Sequence, residues 1–174
     1  MMNIIWKRKF IIFAIASSFM GASSVNAVDI NINGLVLASP CVVNGGNSAV
    51  NVNIGDNIQA DSLSAAGSTS SWKDFTLQLT NCPLSTSSFS VAFSGTPDGD
   101  IATNYANTGS ATNLSLELTT QDGSTTLGNG SSINNTPIPG SHAYDLQLRT
   151  RAVSKGNVMP GSITGLVQAT FTYQ

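Results

Sequence analysis

The chain has 174 residues, 41% of them hydrophobic and only 9% charged, with a formal net charge of −2. That length suits one domain with a real core, and the apolar residues are patterned rather than sparse, which excludes a disordered chain. The few cations form no cluster outside the leader, which excludes a nucleic-acid partner.

Residues 1–27 read as a cleaved secretory signal. Lys7, Arg8 and Lys9 form the positive region, residues 10–20 an apolar run of 11 residues, and Val25-Asn26-Ala27 the small-residue cleavage site. A spanning helix needs roughly 20 apolar residues. This run is shorter, and Gly21, Ser23, Ser24 and Asn26 follow it. No later stretch approaches membrane length, so the exported chain should be soluble and not an integral membrane protein. It would start at Val28, hold 147 residues, and set four Lys/Arg against nine Asp/Glu, a net charge of −5.

Short strands separated by turns fill the rest. Val28, Ile30 and Ile32 alternate with Asp29, Asn31 and Asn33, and the same parity runs on through Gly34 and Val36. Leu35-Val36-Leu37 leads on to Pro40-Cys41-Val42-Val43, and Asn44-Gly45-Gly46-Asn47 is a turn. Val50, Val52 and Ile54 alternate with asparagines. Residues 55–71 are polar and irregular, with one short helical turn at residues 62–66. Further strands are read around Phe75, Leu77 and Leu79, then Phe89, Val91 and Phe93, then Leu114, Leu116 and Leu118. Residues 96–110 and 121–130 are loops. Tyr144, Leu146 and Leu148 begin a strand reaching Val153, and residues 154–160 are a loop. Ile163, Val167, Ala169, Phe171 and Tyr173 share the last strand's apolar parity, with Gly165 among them and Leu166 an apolar exception opposite. About seven or eight short strands of this kind predict a β-sandwich.

Cys41 and Cys82 are the only cysteines. In an exported chain they read most simply as one disulfide. The loop between them holds 40 residues, worth about 4 kcal/mol in the chain-entropy model. A redox pair or metal site is the weaker alternative, because the spacing is not CxxC and no further ligand stands ready.

Catalytic chemistry finds little support. His142 is the single histidine, in a turn-rich stretch without partners for a base. No G-x-S-x-G elbow occurs. Asp98 and Asp100 flank Gly99 without a downstream glutamate for calcium, and read as a solvated turn. Neither an enzyme nor a cofactor is expected. The two ends carry more. An alternating strand running to the last residue leaves an edge that something else must cover. The alternating segment near Val28 could supply that cover to a neighbour, so the ends suggest a subunit that polymerises by lending a strand.

Leu77-Gln78-Leu79-Thr80-Asn81-Cys82-Pro83, followed by Phe89-Ser90-Val91-Ala92-Phe93-Ser94-Gly95, resembles the chaperone–usher fimbrial subunits. It is most similar to the minor adaptor subunits of type 1 fimbriae. The penultimate Tyr173 and Gly161, fourteenth from the end, fit the same pattern. The resemblance implies an all-β, incomplete immunoglobulin-like sandwich lacking its last strand, completed by a donor strand from another chain. It divides the chain into residues 1–27 (signal), 28–39 (donor extension) and 40–174 (pilin domain). The implied donor positions are Val28, Ile30, Ile32, Gly34 and Val36. The implied acceptor groove and chaperone-binding strand comprise Gly161, Ile163, Val167, Ala169, Phe171 and Tyr173. Leu35 and Leu37, apolar on the opposite parity, leave a one-residue register slip open. The implied partners are a periplasmic chaperone, an outer-membrane usher and neighbouring subunits, with export through the periplasm to the cell surface.

Two other readings compete with the adaptor. One is a major rod subunit. The other is a secreted carbohydrate-binding module, which needs exposed aromatics; only Trp72, Tyr105 and Tyr144 are candidates, since the phenylalanines sit on apolar parities.

Overall fold

The computed structural model describes residues 29–174; the leader and Val28 lie outside the described residues. Two units are distinct, Met1–Leu35 and Val36–Gln174. Residues 29–35 of the first carry no helix, strand or turn, and Ile30, Ile32 and Leu35 are exposed. Alternation there is real in sequence, but the described residues give it no ladder.

The second unit holds eight strands: β1 (Val42–Val43), β2 (Lys73–Thr80), β3 (Ser88–Gly95), β4 (Tyr105–Ala106), β5 (Thr112–Thr120), β6 (Ser132–Pro137), β7 (Tyr144–Met159) and β8 (Val167–Tyr173). They form a five-stranded sheet, β1-β2-β7-β5-β4, and a three-stranded sheet, β6-β3-β8. All pairings are antiparallel. Period-two alternation turns one face of each sheet inward. Leu77, Leu79, Leu118, Leu146 and Leu148 of the larger sheet meet Phe89, Val91 and Phe93 of the smaller one. Each such side chain contributes about 1.5–3 kcal/mol on burial.

Asparagine shapes the irregular points. Asn113, with φ of 61°, lies where the β5–β7 register shifts between Thr112 and Leu114. Asn135, with φ of 51°, lies in the β3–β6 irregularity, where its N–H donates to Ser90 Oγ at 3.0 Å. Asparagine enters the left-handed region more readily than other non-glycine residues, which gives this asparagine-rich composition a structural use.

Several sequence expectations are corrected. The alternating Val50, Val52 and Ile54 form no strand. The helical turn lies at Ala60–Leu63, a 3-10 turn starting earlier than expected. Residues 96–110 include the short β4. β6 was not expected; its sequence, Ser-Ile-Asn-Asn-Thr-Pro, is mostly polar. β7 runs through the expected loop to Met159, because Ser154 is buried and its Oγ donates to Leu63 O at 2.6 Å. β8 begins at Val167, so Gly161 and Ile163 precede it. Tyr105, expected among exposed aromatics, is 1% exposed.

Candidate functional site

The smaller sheet positions the site. β8 pairs with β3 from Phe89↔Tyr173 to Gly95↔Val167 and with no other strand among the described residues. Ser88 and Gln174 exchange both backbone hydrogen bonds, at 3.1 and 3.0 Å. In an antiparallel ladder such mutual pairs alternate, so Ser90–Thr172, Ala92–Thr170 and Ser94–Gln168 are of the same kind. The N–H and C=O groups of Val167, Ala169, Phe171 and Tyr173 therefore point out of the sheet edge. Their side chains turn to the apolar face and stay only half-buried.

Residues 48–54 make the opposite wall. Their backbone groups form no hydrogen bond to another segment of the described chain, although Val52 and Ile54 are half-buried. Between the walls runs a cleft of about 910 Å³. Phe75, Leu77, Phe93, Leu116, Leu118 and Leu148 line its floor. An apolar floor flanked by two unpaired backbone edges is the geometry that accepts one added strand: the ladder gives affinity, and alternate side chains fill the floor.

The expected acceptor residues divide. Ile163, Val167, Ala169 and Phe171 line the cleft, and Tyr173 stacks on Phe171 with ring centroids 6.4 Å apart. Gly161 lines an adjoining recess instead. A Cβ there would overlap the Ala111 backbone nitrogen, so only glycine passes this point. Residues 162–164 are held on the β4–β5 loop: Thr108 N–H donates to Thr164 O at 2.8 Å and Ala111 N–H to Ser162 O at 3.0 Å. Of the expected donor positions, Val28 lies outside the described residues. Ile30, Ile32 and Val36 are exposed, and beyond its chain neighbours nothing lies within 4 Å of the Cβ position at Gly34.

Tyr105 also lines the cleft, yet its hydroxyl is buried and finds no hydrogen-bond partner among the described residues. Burial pushes that hydroxyl up to about 12, and burial also raises Tyr173. Tyr105 sits in a stretch that reads as loop, so periodicity gave no sign of its burial.

Away from the cleft, two clusters brace the sheets. Asp98 is buried rather than in a solvated turn. Lys155 Nζ lies 3.0 Å from Asp98 Oδ2 and 2.9 Å from Asp100 Oδ2. Burial works to raise the Asp98 carboxyl, but hydrogen bonds from Lys155 and the N–H groups of Asp100 and Ile101, with the Lys155 charge, hold it below its ordinary value. Hydrogen bonds to Asp100 and Asp98 raise Lys155 in turn. On the outer face of the larger sheet, the guanidinium carbons of Arg149 and Arg151 lie 4.3 and 4.0 Å from the Trp72 ring centroid. Phe89 packs edge-on against Tyr144 at 5.1 Å. None of the three aromatics expected for a glycan platform is fully exposed. Cys41 and Cys82 are joined by a disulfide. Among the described residues no His, Cys, Asp or Glu side chains gather as a metal site, and no helix is long and apolar enough to cross a membrane.

This architecture has known counterparts. Residues 30–174 match the family model described as fimbrial protein. The chain is 35% identical over 170 residues to Protein FimG of Escherichia coli (strain K12), covering 96% of this chain and 97% of that one. It is 37% identical over 169 residues to the S-fimbrial adhesin protein SfaS of Escherichia coli O6:K15:H31 (strain 536 / UPEC), covering 96% and 99%. The fold is similar to the crystal structure of the P pilus rod subunit PapA, with a TM-score of 0.66, 16% identity, and coverage of 78% of this chain and 100% of that one. The chain belongs to the fimbrial protein family, with the immunoglobulin-like fold of pilus subunits. It is a structural subunit of a surface pilus, and other subunits of that fibre are its neighbours.

Proposed function

We propose that this subunit polymerises by donor-strand exchange. The carrying observation is the apolar cleft between two unpaired backbone edges, β8 and residues 48–54. In this reading the leader, residues 1–27, is removed on export to the periplasm. A chaperone strand first covers the cleft there, and at an outer-membrane usher the donor extension of the next subunit replaces it. Residues 40–174 are the pilin domain, with acceptor positions Gly161, Ile163, Val167, Ala169, Phe171 and Tyr173. Residues 28–39 are the donor extension of this chain, using Val28, Ile30, Ile32, Gly34 and Val36 in a neighbour's cleft. The exposure of Ile30, Ile32 and Val36 supports this, because exposed apolar side chains in regular alternation are available to another surface. The resemblance of its sequence to minor adaptor subunits of type 1 fimbriae, with 35% identity to Protein FimG, supports a place near the fibre tip as a minor adaptor. Similarity to a protein named an adhesin supports a contribution to cell adhesion.

The test is thermal unfolding of the exported chain with a synthetic peptide of residues 28–37. A ligand bound only by the folded state adds about 2.7 kcal/mol at a hundredfold excess over its Kd. For a domain of this size that raises the Tm by roughly 8 °C. A Tm indifferent to the peptide at every concentration would overturn donor-strand exchange.

A further inference from the structure

Three Asn-Gly pairs occur in the exported chain: Asn33-Gly34, Asn44-Gly45 and Asn129-Gly130. Asn-Gly is the dipeptide most open to deamidation, because glycine places no side chain in the path of the backbone nitrogen that attacks the carboxamide. The structure separates the three. Asn44 Oδ1 accepts from Gln78 N–H at 3.0 Å, and Asn44 sits within a 3-10 turn. Asn129 Oδ1 accepts from Gly95 N–H at 3.1 Å, and the Gly130 nitrogen is itself bound, donating to Phe93 O at 2.8 Å. Asn33 is exposed in a segment without secondary structure. Nothing stands within 4 Å of the Cβ position of Gly34, and Asn33 makes no hydrogen bond with any described residue.

We propose that Asn33 is a deamidation site that ages the unassembled subunit. The Gly34 nitrogen bonds to Asn33 Cγ and ammonia leaves, forming a succinimide. Water then opens either carbonyl, giving aspartate or isoaspartate, with no oxidant or reductant required. The consequence for assembly rests on the donor-strand reading. Isoaspartate routes the main chain through the side-chain methylene and so lengthens it by one atom between Ile32 and Gly34. Alternation then breaks: side chains before and after this point no longer share one face. Ordinary aspartate keeps the backbone period and puts its charge on the parity opposite Ile32, away from the apolar floor. A donor segment already in a ladder has its Gly34 nitrogen held, and attack requires local opening. Assembly thus protects the site, and delay exposes it.

The experiment has two arms. Peptide mapping of the purified exported chain, held at mildly alkaline pH, should find succinimide and isoaspartate first at Asn33. The rate should exceed that at Asn44 and Asn129 by at least about tenfold, since opening a bonded turn costs a tenfold population for every 1.4 kcal/mol. Gly34→Ala should slow the change at Asn33 and leave Asn129 unaffected. Equal rates at the three sites would overturn the proposal. The second arm measures the Tm of the exported chain with peptides of residues 28–37: unmodified, with Asn33→Asp, and with isoaspartate at that position. The first two should raise the Tm and the third should lose most of the rise. An isoaspartyl peptide that stabilises equally would overturn inactivation by ageing. An unmodified peptide without effect would overturn the donor-strand reading itself, while the ranking of the three asparagines stands on the first arm alone.

Discussion

β7 and β8 carry the same kind of alternation and end in different circumstances. β7 is paired on both sides, with β2 along residues 144–150 and β5 along residues 148–159, and Leu148 and Ala152 are nearly or wholly buried. Among the described residues β8 is paired on one side only, and Val167, Ala169, Phe171 and Tyr173 stay half-exposed. Period two decides which face of a strand is apolar; it does not decide whether both edges find partners. Among the described residues, one chain thus combines a strand paired on both edges with a strand paired on one.

The largest effect should come from the covalent link that frames both halves. Cys41 and Cys82 are 41 residues apart in sequence. Their replacement by alanine should cost about 4 kcal/mol in urea unfolding, and an unchanged midpoint would refute this role. A contrast between the halves comes next. Leu79→Ala, at a wholly buried position, should cost about 3 kcal/mol. Phe171→Ala, at the half-open edge, should cost the uncomplemented chain about 1 kcal/mol. It should also remove most of the Tm rise given by the peptide of residues 28–37, whereas Leu79→Ala should preserve that rise. Equal costs for the two would mean that the cleft is already closed.

A separate test concerns the far end of β7. Lys155→Met leaves the buried Asp98 without its cation, which should cost about 2 kcal/mol at neutral pH. The pH dependence has a defined sign. The Asp98 carboxyl is held below its ordinary value, so its stabilisation is present above the usual carboxylate range and is lost as pH falls through the folded value. Lys155 is raised, so its stabilisation is present below the usual lysine range and is lost as pH rises through its folded value. The variant should lose stability less steeply than the parent on acidification below about pH 4. A parallel acid limb in urea titrations would show that the clasp does not contribute.

Much of this was legible in sequence because alternating apolar residues mark β2, β3, β5 and β8 directly. The disulfide was legible from the cysteine count and an expected export signal. What escaped was structure stabilised by polar groups. β6 offers only Ile133 and Thr136 half-buried among exposed neighbours. β7 continues past Val153 because a buried serine, not an apolar residue, keeps the inward position. Tyr105 is buried on a two-residue strand too short to show a period. The segment around Val50 alternates as clearly as any strand, but periodicity cannot say whether a strand pairs, and this one finds no partner among the described residues. The same limit applies at Ile30 and Ile32.

Cys41 sits immediately before β1, a strand of two residues, and is bonded to Cys82 just beyond β2. On the donor-strand reading, a pull applied through residues 28–39 therefore enters the domain at this point. The short β1 ladder would yield early if it carried the tension alone. The disulfide hands the load to β2, which is bonded along seven registered positions to β7. On the donor-strand reading, the joint between residues 28–39 and the domain is thus a covalent anchor in a fibre under flow, and reducing the disulfide should weaken each subunit at this joint.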